Sequence, residues 1–190
     1  WCHFEFFKSW LDLALDIDPE NANAFVLSTV SSKNNPSSRV VLLRGILEKS
    51  FVFYTNYLSS KAKDLDENKN VSLNFFWPYL EKQVRIKGVV SKLSDLESDT
   101  YFKSRPISSQ LGAHSSEQSS SLPLNFSFDK IVNSLEEKYK NKDVGRPVFW
   151  GGYMIEISYF EFWQGRPSRL HDRLCYTLVD GVWTIERLSP

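Results

Sequence analysis

QVRIKGVVSKL, Gln83–Leu93, puts the polar Gln83, Arg85 and Lys87 on one face, the two-residue period of a strand. Four earlier runs have the same short, β-branched or aromatic character: AFVLSTV (Ala24–Val30), SRVVLLRGIL (Ser38–Leu47), SFVFYTN (Ser50–Asn56) and NVSLNFFW (Asn70–Trp77). Toward the C-terminus GGYMIEIS, YFEFWQ, LCYTLVD and VWTIERL continue the pattern, the last two joined at Asp180-Gly181, a strong hairpin signal. Helices flank these strands. Phe4, Phe7, Trp10, Leu11, Ala14 and Leu15 recur at helical spacing, so the first sixteen residues read as an amphipathic helix closed by Pro19. LSSKAKDLDENKN reads as a short charged helix capped by Ser59 or Ser60. Ser94 and Glu97 make a capping box for a third helix that runs until Pro106 interferes, and Phe128, Ile131, Val132, Leu135 and Tyr139 mark a fourth. The expected class is mainly β with flanking helices (α+β), largely antiparallel, in one domain spanning 1–190.

The 190 residues suffice for a sizeable core. An aromatic share of 15% is high and suits sheets and flat ligands. Lys+Arg and Asp+Glu are both 23, a balance that argues against nucleic acid as a partner. Cys2 and Cys175 make no CxxC pair, so a reducing compartment, the cytoplasm, is expected. No stretch approaches the roughly 20 apolar residues of a membrane span. The chain starts at Trp1 without an initiator Met, which leaves a targeting peptide or arm upstream open.

Dinucleotide turns, phosphate loops of the GxxxxGK[ST] type and GxSxG elbows are absent. His3, His114 and His171 lack ligand spacing, so no metal site is expected. Arginine on strands remains. In SRVVLLRGI, Arg39, Val41 and Leu43 share one face and Val40, Leu42 and Arg44 the other. Such forks suit phosphate; the competing reading is a solvated sheet face with ordinary ion pairs. Tyr101, Arg105 and Ser109 recur at a stride of four, with Pro106 suited to the first position of a new helix, whose free amides would cradle an anion. The bland alternative is a helix-to-loop corner. The Ser-rich Ser108–Ser121 reads as a flexible linker, although its hydroxyls and amides could equally meet a polar ligand. In EFWQGRPSRLHDR (Glu161–Arg173), Trp163, Arg169, His171 and Arg173 together could hold a planar anion.

Taken in order, RVVLLR, FVFYTNYLSSKAKDL, FFWPYLEKQVRIKG, YFKSRPISSQLGA, EQS, FWGGY, EFWQGRPSRLHDR and the closing RLSP resemble the pyridoxamine 5'-phosphate oxidase family, from about Asn23 to Pro190. The ordered set is specific, above all SRPxxSQxGA and EFWQGxxxRLHDR. The resemblance implies an FMN-binding split β-barrel working as a homodimer with flavin at the interface, residues from about 149 to 190 forming the family's C-terminal dimerisation region. It implies oxidation of pyridoxamine 5'-phosphate and pyridoxine 5'-phosphate to pyridoxal 5'-phosphate, hydride passing to FMN and dioxygen leaving as hydrogen peroxide.

By the same resemblance FMN is held by Arg39, Val40, Val41, Leu42, Leu43 and Arg44, by Tyr54, Thr55, Ser60, Lys61 and Gln83, and by Gln118, Ser119, Trp163 and Arg173, some of them from the partner subunit. The substrate phosphate falls to Arg44, Tyr101, Arg105 and Ser109, and the pyridine end to Arg169, Leu170 and His171, with Arg169 and His171 nearest the reacting carbon. Leu170 is expected to pack between the groups that face the two ligands, and Asp172 to orient a neighbouring arginine. Three positions depart from the family pattern. Arg44 replaces its usual Lys, Ser60-Lys61 replaces Arg-Lys, and His114 replaces a frequent Trp. The altered phosphate contacts keep a second reading in play, a split-barrel protein that binds flavin or pyridoxal phosphate without turning it over. Another FMN-dependent oxidoreductase ranks third.

Overall fold

Trp150–Gln164 forms one fifteen-residue strand (β7) where the sequence suggests two, GGYMIEIS and YFEFWQ. At the expected break Tyr159 pairs with Lys87 and Ile157 with Gly88, Ser158 being passed over by a register shift, so β6 (Lys82–Lys92) carries the strand through along nearly the whole of β7. The computed structural model describes residues 2–190, so Trp1 at the head of the expected first helix lies outside the described residues. Every strand joins one antiparallel sheet. With β1 (Ala24–Val30), β2 (Pro36–Leu42), β3 (Gly45–Leu47), β4 (Ser50–Asn56) and β5 (Asn70–Trp77), its order is β2-β1-β5-β6-β7-β4-β3. The second edge of β7 is shared. Residues 150–156 pair with β4, and residues 159–164 with β8 (Asp172–Val179), which turns back into β9 (Val182–Leu188). The fold is thus mainly β with helices, in a curled half-barrel.

SRVVLLRGIL is two strands rather than the expected one. The break falls at Leu43-Arg44, where the Leu43 N–H donates to Asn23 O and the Arg44 N–H to Val52 O, so the chain changes partner strands there. Leu43 is buried at that corner and Arg44 is exposed. Between β6 and β7 the register shifts at Lys87/Gly88, and a Cβ on Gly88 would lie 2.3 Å from Glu156 O, so only glycine fits. The Asp180-Gly181 hairpin has φ of 49° and 79°, the two left-handed residues of a type I′ turn.

The amphipathic first helix, α1 (His3–Ile17), lays Phe4, Phe7, Trp10, Leu11 and Ala14 onto the concave sheet. Phe7 is fully buried, 4.6 Å from Phe51 and 5.1 Å from Phe75 between ring centres. Each such ring contributes about 1.5–3 kcal/mol by leaving water. Helix α2 (Ser60–Glu67) is capped by Ser59, whose Oγ accepts the Ala62 N–H. Helix α3 (Asp95–Ser104) opens with the expected Ser94–Glu97 capping box. Pro106 is the N-cap of α4 (Ile107–Ser115) and not its first residue. Half of the supposed linker is therefore helix, because Gln110 and Leu111 bury against α3 and the corner before it. The amphipathic α5 (Asp129–Tyr139) leans on α4 through half-buried Leu135 and Tyr139. Among the described residues no helix is long and apolar enough to cross a membrane.

Candidate active site

The break at Leu43-Arg44, the end of β4, the start of α2 and the α3–α4 corner enclose a cleft of about 520 Å³. Arg39, Val40, Val41, Leu42, Arg44, Tyr54, Thr55, Ser60, Lys61, Tyr101, Arg105, Gln118 and Ser119 all line it. Ser109 lines an adjoining recess of about 320 Å³ that shares Tyr54, Thr55, Arg105 and Gln118. Leu43 differs from its neighbours in facing the core.

One end of the cleft is built around a buried amine. Lys61 Nζ donates to Gln118 Oε1 at 2.8 Å, Thr55 Oγ1 at 3.1 Å and Ser59 Oγ at 3.3 Å, all neutral acceptors. Burial, then the neighbouring Arg39 charge, pull its pKa down from 10.5 to about 8. Arg39 itself is tied down through Nη1, which donates to Thr29 Oγ1 at 2.8 Å and to Leu27 O at 3.2 Å, with Asp64 at 3.9 Å from Nη2. At Ser60 the backbone N–H donates to Ser119 Oγ at 3.2 Å. A cation beside a buried ammonium that has no carboxylate among its hydrogen-bond partners is an arrangement that an anion would stabilise.

The other end is aromatic and cationic. Tyr54 stacks on Tyr101 at 3.8 Å and on Trp150 at 5.5 Å, each with planes 10° apart, and the Arg105 guanidinium lies 4.6 Å from the centre of the Trp150 ring. Arg105 Nη1 is buried without a hydrogen-bond partner, and burial works against its charge. The stack exists because β7 opens with Gly151-Gly152: a Cβ on Gly152 would meet Tyr54 Cε1 at 2.8 Å, and one on Gly151 the Tyr57 hydroxyl at 2.1 Å. Burial, followed by the Tyr101 neighbour, pushes the Tyr54 phenol up to about 12, so it stays a neutral donor. Tyr101, Arg105 and Ser109 do not sit on one helix, since Arg105 ends α3 and Ser109 lies in the first turn of α4.

Gln83, Trp163, Arg169, Leu170, His171 and Arg173 line neither space. They gather at the far end of β7, where Gln83 pairs with Trp163 and Trp163 with Arg173. From Gly152 to Trp163 is roughly 35 Å along the strand. The His171 ring lies 4.6 Å from Trp163, and its Nδ1 accepts the Arg166 N–H at 3.1 Å. In the neutral imidazole the ring proton is then on Nε2. Ser168 and Arg169 both have positive φ, 58° and 61°, a tight left-handed turn that leaves Arg169 exposed. Leu170 is 69% exposed, so it does not pack between its neighbours within this chain. Asp172 does orient arginines, accepting from Arg166 Nε at 2.6 Å and Arg187 Nη2 at 2.8 Å.

Trp150 and Glu161 are the residues sequence reasoning left without a role. Trp150 stood in FWGGY, where an aromatic before paired glycines is the available signal. Glu161 stood as the lone acid inside FEFW. His114 is structural in this chain, its Nε2 2.7 Å from Gly145 O and its ring beside Tyr139.

Residues 17–139 match the family profile described as "Pyridoxamine 5'-phosphate oxidase". The chain belongs to the pyridoxamine 5'-phosphate oxidase family. Residues 150–190 match a second profile, "Pyridoxine 5'-phosphate oxidase C-terminal dimerisation region". A pyridoxine/pyridoxamine 5'-phosphate oxidase of Acaryochloris marina is 49% identical over 184 residues, 97% of this chain and 84% of the relative. One from Cytophaga hutchinsonii is 48% identical over 188 residues, 98% of this chain and 87% of its own length. Among solved structures, PhzG of Burkholderia lata, in complex with tetrahydrophenazine-1-carboxylic acid, aligns with a TM-score of 0.91 at 26% identity, covering 98% of this chain and 92% of that one. A pyridoxamine 5'-phosphate oxidase-related, FMN-binding protein of Nostoc punctiforme shares the fold at a TM-score of 0.79 and 15% identity, with 97% of each chain covered.

Proposed function

We propose that this chain oxidises pyridoxamine 5'-phosphate and pyridoxine 5'-phosphate to pyridoxal 5'-phosphate with FMN as its cofactor. The observation that carries the reading is a single cleft with two cationic ends separated by stacked aromatic rings: Lys61, whose hydrogen-bond partners are all neutral, and Arg105, whose buried Nη1 has no partner. Two phosphates attached to flat ring systems fit that arrangement. The residues suit FMN on the same ground, because a buried ammonium bonded only to Thr55, Ser59 and Gln118 gains from a phosphate what no group in the chain gives it.

When bound, FMN supplies the two-electron acceptor for hydride from the substrate's C4' carbon, and dioxygen, reduced to hydrogen peroxide, takes the electrons on. The protein's share is placement. Lys61 and Gln118, with Thr55 and the Ser60 and Ser119 pair, receive the flavin phosphate. Arg105, Tyr101, Ser109 and Arg44 receive the substrate phosphate, Arg44 offering a fork in place of a point charge. His171 presents an Nε2–H donor, and Arg169 a second cation, to the pyridine end. The reaction balances as amine plus dioxygen plus water giving aldehyde, ammonia and peroxide; the alcohol needs no water.

The two clusters sit at opposite ends of β7, too far apart for one FMN in one chain. We infer that a homodimer completes each site, the Gln83–Trp163–Arg173 end of one protomer closing the cleft of its partner around the flavin. A match to a dimerisation region over 150–190 supports this. Free Cys2 and Cys175 suit a reducing, cytoplasmic setting. Reconstituted protein should be yellow and should convert pyridoxamine 5'-phosphate in air to the aldehyde with release of peroxide. FMN-loaded protein that leaves both substrates untouched would instead be the non-catalytic carrier.

A further inference from the structure

Glu161 is 2% exposed on β7, on the face opposite the core-facing Phe160 and Phe162. It is fully engaged. Oε1 accepts from Arg173 Nε at 2.9 Å and lies 2.9 Å from Arg173 Nη2, a two-point clamp. Oε2 accepts from Arg85 Nη1 and from the Tyr159 hydroxyl, both at 3.0 Å. Burial disfavours the carboxylate, but the hydrogen bonds from Arg173 and Tyr159 and the charge of Arg85 outweigh it and hold the group below its usual range.

Register puts Gln83 and Arg85 of β6, Glu161 and Trp163 of β7, and Arg173 of β8 on one face. The Arg173 Nη1 also donates to Ser189 O at 2.8 Å. The guanidinium is therefore held from two directions before any ligand arrives. Without the carboxylate, Arg85 and Arg173, on the strands either side of β7, would be two like charges on one face with no anion between them. An arginine fixed in advance loses less freedom when a ligand binds.

We propose that Glu161 is a positioning residue for flavin binding, acting through Arg173, with Arg85 as the second cation that its carboxylate balances. This rests on the reading that Arg173 faces FMN. The test is FMN titration of flavin-stripped full-length protein, followed by flavin fluorescence, for wild type, E161Q, R173A and the double variant, with the melting temperature of each flavin-free protein alongside. E161Q and R173A should each weaken FMN binding about tenfold, about 1.4 kcal/mol, and the double variant should bind no worse than R173A alone. Losses that multiply in the double variant overturn the proposal while leaving Arg173 at the flavin. Unchanged affinity in R173A overturns the flavin-side reading of Arg173, and the proposal with it. If E161Q does not fold, R173K decides: it keeps the charge but cannot make the two-point clamp, so it should lose about tenfold as well. Wild-type affinity in R173K overturns the proposal.

Discussion

Lys61 Nζ lies 2.8 Å from Gln118 Oε1, the α2 amine and the loop after α4 meeting 57 residues apart in sequence. The contact joins a cation to a neutral amide, so the loop that carries Gln118 and Ser119 is held to the cleft by a group whose charge none of its hydrogen-bond partners balances. Removing that cation should cost flavin and little else. K61M is expected to weaken FMN binding about ten- to hundredfold, the usual worth of a charge-assisted hydrogen bond, while the flavin-free protein melts no lower than wild type. Fluorescence titration and thermal melts check the two halves.

The same amine sets a pH dependence. With a pKa of about 8 in the fold against 10.5 in the unfolded chain, Lys61 releases its proton in the folded state first. Between those values the unfolded chain binds more protons, so this group's contribution to flavin-free stability rises with pH from about 8 to 10.5 and is lost as pH falls through 8. FMN affinity should run the other way, falling as pH rises past 8, because the phosphate needs the ammonium. A flat affinity profile from pH 7 to 10 would remove Lys61 from the phosphate site.

Arg105 and Arg169 should separate by kinetic parameter. R105A leaves the flavin end intact and should raise KM for the phosphorylated substrate about ten- to hundredfold. R169A should lower turnover far more than it lowers FMN affinity. Equal losses of both would put Arg169 at the flavin. Steady-state kinetics on FMN-saturated variants give both answers.

Sites built from two protomers allow complementation. Co-expressed K61M and R173A chains, assayed at an FMN concentration that loads wild type but neither variant alone, should yield heterodimers with one intact site, and so about a quarter of wild-type activity in a random mixture. No recovery would mean that each site belongs to one chain.

The strand-rich class, α1, the Ser94 capping box and the Asp180-Gly181 hairpin were legible because each is a local signal: period, cap or turn residue. The break at Leu43-Arg44 was not, since it is made by the hydrogen bonds to Asn23 and Val52 that only the folded sheet supplies. Serine-rich composition hid α4 for a similar reason, its helix being held by burial of Gln110 and Leu111. In the site, ordered motifs pointed to both clusters at once but could not divide them between the ends of β7. Trp150 and Glu161 escaped notice because their roles come from cross-strand neighbours, Tyr54 in one case and Arg85 and Arg173 in the other.

β7 therefore acts as a ruler. Its first half is fixed by β4 and its second by β8, and β6 clamps the other edge along nearly all of it, with Gly88 the one place where the register gives. Inserting two residues at Ile157-Ser158 would keep every side chain on its present face yet lengthen the strand by about 6.6 Å. Such a chain could keep its sheet and both clusters and still fail, because each cluster would arrive at the partner's cleft out of step.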